Sequence, residues 1–344
     1  MKLCESEVIE VFYRFDGEPV VLYPRFCVDQ SELTALMAPC LKEGISLQKQ
    51  LKRKPDSVVC FRRTYGLGDI VLLTPIFNWF KEEYPFCQIY LVTDRKFLEL
   101  FRYWDVVMTV CDHNISSIGY DVGYYLDDIV EKDHVGDKNS YKHRLDLYCE
   151  FLGIPVPKEP IFSLPYGEDE KNWAEEVVGV LRKIGKPIVV MQAFGSREVK
   201  RFSFGKVVKI VEELVKICSL ILVHDTRVDF ERIGMINLTG MTSVHELVAL
   251  VDSVDVVVTM DSSVLWIAHC TQTPVIALLG PTRKQERLKY HRNYAVVNLA
   301  EMVGCEPCFE RMAKCGGMIS CMEKSNDNQI AKGIRDGIRK LVFS

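Results

Sequence analysis

The chain has 344 residues, is 48% hydrophobic and 26% charged, and carries a formal net charge of −4. These are values of a globular chain with room for two domains, and they argue against a disordered tail and against a general nucleic-acid binder, which is more often basic. The first residues hold no apolar signal-peptide core, and no run of about 18 apolar residues occurs, so neither a secretory signal nor a membrane-spanning helix is expected.

Residues 1–56 read as an N-terminal extension. Two short strands, Glu10–Phe15 and Pro19–Pro24, flank the turn Asp16-Gly17, and a helical stretch runs through Leu41. From Ser57 the pattern becomes βα. A strand over Ser57–Arg62 leads into a helix whose apolar positions Ile70, Leu73, Phe77, Phe80 and Tyr84 recur at three and four, with Pro75 set to kink or restart it. Strands at Gln88–Thr93, Val106–Cys111 and Tyr120–Leu126, and helices at Lys96–Trp104 and Leu145–Leu152, complete a first domain over 57–165. The proline-rich stretch Gly153–Pro160 marks a linker.

The alternation resumes in a second domain over 166–344. Strands are expected at Ile188–Gln192, Ser219–Val223, Ile236–Leu238, Asp255–Thr259 and Val275–Leu278. Helices are expected at Phe204–Ile217, after the capping box Ser243-x-x-Glu246, and around Ile330, Ile334, Ile338 and Leu341. Strands alternating with helices make parallel α/β sheets, whose ligands sit at the carboxyl ends of the strands.

Two turns about 190 positions apart stand at such ends. Gly66-Leu-Gly68-Asp69 follows one strand and opens a helix, where glycines let the backbone approach a ligand and a helix N-terminus favours anions. The third glycine of a dinucleotide fingerprint would fall on Val71, so a nicotinamide enzyme is poorly supported. Asp69 reads equally as a functional carboxylate or as a helix cap. Asp261-Ser262-Ser263 follows the second strand, and its hydroxyls and N–H groups suit a diphosphate as well as a plain capping turn. Gly280-Pro281-Thr282 follows the next strand and could add backbone donors. Lys200 and Arg201 lie in a polar loop, either as solvated cations or as partners for a leaving diphosphate.

Thirteen cysteines are many. Nine are scattered, several in apolar runs, where cysteine acts as a small hydrophobe. Cys305, Cys308, Cys315 and Cys321 fall within 17 residues, a spacing that suits a closed, structural zinc or iron site better than two disulfides.

Taken together, residues 57–344 resemble glycosyltransferase family 9, the heptosyltransferase family. Three blocks carry the likeness: Gly66-Leu-Gly-Asp69-Ile-Val-Leu-Leu-Thr-Pro75 with Tyr84-Pro85; Asn237-Leu-Thr-Gly240 with Thr242-Ser243-x-x-Glu246-Leu247; and Asp255 through Ser262 followed by Thr273 through Thr282. The resemblance implies a GT-B fold, two Rossmann-like domains around a cleft, with an N-terminal acceptor domain and a C-terminal nucleotide-sugar domain. It implies inverting transfer without a catalytic divalent metal, most simply of heptose from ADP-heptose to a surface glycan such as lipopolysaccharide core. A protein acceptor, another nucleotide sugar, or a non-catalytic nucleotide-sugar binder are the alternatives.

By the same resemblance Asp69 is the general base, Lys200 steadies the departing diphosphate, and Asp261, Ser262, Ser263 and Val264 bind the donor. Gly66, Gly68, Arg201, Gly280, Pro281 and Thr282 are placed around it. The family often has Gly where Ser263 stands and His where Trp266 stands; the indole brings no charge but could stack on a sugar or base. Some relatives, the autotransporter heptosyltransferases, bind iron through four cysteines. A cytoplasmic location is implied, with peripheral contact at the inner face of the membrane and no nucleic-acid partner.

Overall fold

The computed structural model describes residues 10–13, 19–22, 54–111, 120–127, 129–132, 142–195, 198–308, 315 and 320–343. Contacts divide the chain into two compact units. The first holds residues 1–65, 73–137 and 144–160; the second holds 66–72, 138–143 and 161–344. At the N-terminus β1 (Glu10–Tyr13) and β2 (Pro19–Leu22) pair antiparallel. The expected turn at Asp16-Gly17 and the helical stretch through Leu41 lie outside the described residues.

The first unit is built on a parallel sheet of β3 (Val58–Arg62), β4 (Gln88–Thr93), β5 (Met108–Cys111) and β6 (Val122–Tyr125) in the order β5-β4-β3-β6. Phe61 points from β3 into a cluster with Phe77, Phe80 and Tyr124 at ring separations of 5.4 to 5.5 Å. The single helix expected after β3 is two. Helix α1 (Leu67–Val71) ends, and α2 (Thr74–Glu83) restarts with Pro75 in its first turn, where the missing N–H costs nothing. The expected helix over Lys96–Trp104 is instead a 3-10 turn, Arg95–Phe97, capped by Asp94. Further i+3 bonds follow at Leu100, Arg102 and Trp104. The tighter turns still bury Phe97, Leu100 and Phe101. Helix α3 (Ile129–Lys132) follows β6, and α4 (Arg144–Leu152) forms as expected.

The second unit has a six-stranded parallel sheet of β7 (Ile188–Gln192), β8 (Ser219–Leu222), β9 (Met235–Asn237), β10 (Val256–Met260), β11 (Val275–Leu279) and β12 (Tyr294–Asn298), in the order β12-β11-β10-β7-β8-β9. All five positions of β7, β10 and β11 are buried, as expected of strands covered on both faces. The helices are α5 (Glu168–Arg182), α6 (Phe204–Leu214), α7 (Val244–Ser253), α8 (Ser263–Thr271), α9 (Lys284–Leu288), α10 (Leu299–Met302), α11 (Cys321–Lys324) and α12 (Asp327–Val342). Helix α7 carries the expected Ser243/Glu246 capping box. Ile330, Ile334 and Ile338 of α12 join the core made by Val207, Ile210 and Leu214 of α6. Lys206 fastens this pair of helices: its ammonium meets Asp327 at 2.7 Å and the Glu323 carbonyl at 3.1 Å.

Each sheet has one point where successive strands leave in opposite directions. In the first it lies between β3 and β6, in the second between β7 and β10. Ligands of open α/β sheets bind outside the carboxyl ends of the strands at these points.

Candidate functional site

Both points are reinforced by ion pairs that the sequence does not announce. In the first unit Asp127, just past β6 and 3% exposed, accepts from Arg62 Nη1 at 2.7 Å, Thr64 N at 2.8 Å and Thr64 Oγ1 at 3.0 Å. Burial pushes its carboxyl above the ordinary range, and the Thr64 bonds and the Arg62 charge oppose that rise. Arg63 is fully buried, donating to the carbonyls of Tyr65 and Leu126. The chain leaving β3 is thus tied to the chain leaving β6.

The turn that follows belongs to the second unit. Gly66 is the N-cap of α1 at φ 80°, a left-handed conformation that glycine adopts without penalty. Asp69 is therefore not the cap. It lies in the first turn of the helix, 8% exposed. Gly68 faces Trp266: a Cβ built on Gly68 would stand 2.1 Å from Trp266 Cδ1 and 2.7 Å from Nε1. Trp266 is 2% exposed, and its ring also meets His269 at 5.0 Å and the edge of His143 at 5.6 Å. The ring that the sequence offered for stacking on a sugar or base packs on Gly68 and the two histidines.

At the second point, the loops after β7 and β10 meet directly. Lys200 ends a 3-10 turn, Glu198–Lys200, and its Nζ lies 2.7 Å from Asp261 Oδ2. Gly195 lets the loop fold back, since a Cβ there would stand 2.6 Å from the Lys200 carbonyl oxygen. The other Asp261 oxygen accepts from Arg287 Nε at 2.7 Å. Arg287 lies on α9 and is completely buried. Sequence reasoning missed it because its partner is 26 residues away and it matches none of the three blocks. Ser262 is the N-cap of α8 and makes no side-chain cap bond; its hydroxyl lies 3.0 Å from Thr259 Oγ1. The first-turn N–H groups of α8, with Ser262 and Ser263 half-buried beside them, suit an anion. Val264 is buried and could offer only its backbone. Arg201 is exposed.

The loop after β11, expected to add backbone donors, packs against α11. A Cβ on Gly280 would stand 2.7 Å from Cys321 Sγ and 2.6 Å from Met322 Sδ, so that glycine admits α11. Pro281 and Thr282 are buried. Thr282 Oγ1 has no hydrogen-bond partner among the described residues, and Thr282 lines a cavity of about 360 Å³ with Arg283, Lys284, Asn298 and Pro307.

Among the described residues none of the four clustered cysteines is in a disulfide; Cys305 is exposed, Cys308 and Cys315 are half-buried and Cys321 is buried. Burial, then the nearby Cys308, Cys315 and Cys305, pushes the Cys321 thiol up to about 11. Among the described residues no three His, Cys, Asp or Glu side chains stand in a metal-binding group. No described helix is long and apolar enough to cross a membrane.

Solved structures with similar folds include the family 9 glycosyl transferase of Veillonella parvula, at 15% identity and TM-score 0.61 over 83% of this chain and 97% of that one. The E. coli ADP-heptose lps heptosyltransferase II matches at 14% identity and TM-score 0.60 over 82% and 98%. The iron-containing dodecameric glycosyltransferase TibC of enterotoxigenic E. coli matches at 14% and 0.58 over 83% and 77%; TibC has also been solved in complex with ADP-D-β-D-heptose. At these identities the likeness shows the fold, GT-B with parallel sheets. No curated protein matches the chain. The family model for glycosyltransferase family 9 (heptosyltransferase) matches residues 145–319. That span is half of the 344 residues, and the chain belongs to glycosyltransferase family 9.

Proposed function

We propose that this glycosyltransferase is inverting and moves heptose from ADP-heptose to a hydroxyl of a surface glycan such as lipopolysaccharide core, working in the cytoplasm at the inner face of the membrane. The observation that carries the donor reading is the Lys200–Asp261 pair at 2.7 Å, set where β7 and β10 part. A cation and a helix N-terminus at such a point are what a nucleoside diphosphate requires. The ADP-heptose seen on TibC supports the choice of nucleotide and sugar. In domain terms, residues 57–165 would receive the acceptor and 166–344 the donor, with 1–56 as an appendage.

In this reading Asp69 takes the proton from the acceptor hydroxyl. The oxygen attacks the anomeric carbon from the face opposite the diphosphate, the carbon–oxygen bond to the diphosphate breaks, and the electron pair leaves with the phosphate. Lys200 meets the charge that develops there, so the step needs no divalent cation. Gly66 and Gly68 let the base-bearing turn come close, Ser262, Ser263 and the Val264 backbone hold phosphate and sugar, and Arg201 and the 280–282 loop border them. Trp266 serves as the surface on which Gly68 rests.

The cysteine quartet is proposed as a structural zinc or iron site. Donor type fits: four cysteines on a short segment, none in a disulfide among the described residues, would make a closed, soft-ligand shell. Cys321 would hold it against Gly280 and so brace the loop after β11.

The test is transfer from ADP-heptose to deacylated lipopolysaccharide core, followed by ADP release, beside UDP-glucose and GDP-mannose as donors. Transfer from ADP-heptose that disappears in D69N supports the reading. Full activity in D69N removes Asp69 as base, and turnover of another sugar alone removes heptose.

A further inference from the structure

Two cations of unlike character meet Asp261, one on each carboxylate oxygen. Arg287 is 0% exposed, and its Nε donates to Asp261 Oδ1 at 2.7 Å. A guanidinium does not shed its proton in a protein, and a buried charge deprived of its counter-ion is strongly unfavourable. That half of the arrangement is fixed. Lys200 is different. It sits at the end of a three-residue turn, its side chain is 11% exposed, and it donates to the other oxygen, Asp261 Oδ2, at 2.7 Å. An ammonium on a four-carbon stem is a point charge with three donors and can change partners. Asp261 in turn sits on the residue before the α8 N-cap, where an incoming anion would be received.

We propose that Arg287 is a positioning residue that keeps Asp261 charge-compensated, so that Lys200 can turn from Asp261 to the diphosphate of the donor. The inference rests on the donor reading given under Proposed function. Without Arg287, Asp261 Oδ1 would lose its guanidinium, and the carboxylate would hold Lys200 on Oδ2 more strongly and keep it back from the ligand. Arg287 acts through Asp261 and Lys200 and does not itself touch the nucleotide. This gives the buried arginine of α9 a role that a merely structural ion pair lacks: its effect on ligand affinity exists only while Lys200 is present.

The test uses ADP as the probe, with affinities from titration calorimetry on the full chain and its R287Q, R287K, K200M and K200M/R287Q variants. R287Q should bind ADP about tenfold more weakly, within the range of coupling between members of one charge network. R287K should recover most of that loss, and R287Q should add nothing in the K200M background. An unchanged R287Q, or the same loss with and without Lys200, overturns the proposal while leaving the donor site intact. Failure of the wild-type chain to bind ADP overturns both this inference and the ADP reading. Should R287Q not fold, a crystal structure of the wild type with ADP decides. Lys200 Nζ on a phosphate oxygen with Arg287 Nε still on Asp261 supports the exchange. Arg287 on the phosphate, or Lys200 still on Asp261 alone, contradicts it.

Discussion

Gly68 and Trp266 touch so closely that a single methyl on the glycine would fall 2.1 Å from the indole Cδ1. The contact joins the turn bearing Asp69 to helix α8, which begins at Ser262 and Ser263, the serines proposed to hold the donor. G68A is expected to destabilise the chain by about 1–3 kcal/mol through overpacking and to lower transfer activity. Shrinking the ring in the same chain, as G68A/W266L, should return part of the activity. Strictly additive losses in a double-mutant cycle would show that the contact does not position the turn.

Removing the Lys200 ammonium removes the proposed partner of the departing diphosphate. K200M should reduce kcat by about 10² to 10³, the usual effect of deleting one charge-stabilising donor. Steady-state kinetics with saturating donor check this, and a change confined to KM would assign Lys200 to ground-state binding alone.

The second unit also holds a pair of buried imidazoles, His269 and His291, with ring centroids 4.7 Å apart. Burial, with His291 adding to it, holds His269 down at about 3, and burial holds His291 down at about 4. Both lie below the ordinary 6.5, so the unfolded chain binds protons that the folded chain refuses. The stability from keeping them neutral is present above pH 6.5 and is lost as pH falls from there toward 3. Urea unfolding at pH 7.5, 6 and 5 should show falling midpoints, and H269F should flatten the slope between pH 6.5 and 4. A slope unchanged in H269F would place the acid sensitivity elsewhere.

If the cysteine quartet holds a metal, a chelator should lower the melting temperature of wild type and leave C308S unaffected, with the released zinc or iron measured by mass spectrometry. A melting temperature indifferent to chelator and to C308S would contradict a structural metal.

Much of the α/β order was legible because buried parallel strands announce themselves: Ile188–Met191 and Val275–Leu279 are unbroken apolar runs. The helix Glu168–Arg182 was not, since four of its fifteen residues are buried and its apolar stripe is thin. β12 was missed because it lies at the sheet edge with only Val297 fully buried. At the site, Lys200 and Asp261 were legible as residues of the right type at strand ends. Their direct pairing was not, nor were Arg287 and Asp127, because long-range partners of buried charges leave no local pattern. Trp266 was legible as an aromatic after the 261–264 turn, but its packing on Gly68 and His143 was not, for the same reason.

The central claim is that the loops after β7 and β10 bind a nucleoside diphosphate sugar through Lys200 and Asp261. Calorimetric titration of ADP-heptose into wild type and K200M, beside UDP-glucose and GDP-mannose, tests it most directly. The proposed site predicts saturable, selective binding of ADP-heptose that weakens by tenfold or more in K200M, about 1.4 kcal/mol. Equal affinity in wild type and K200M, or no binding of any of the three, would contradict it.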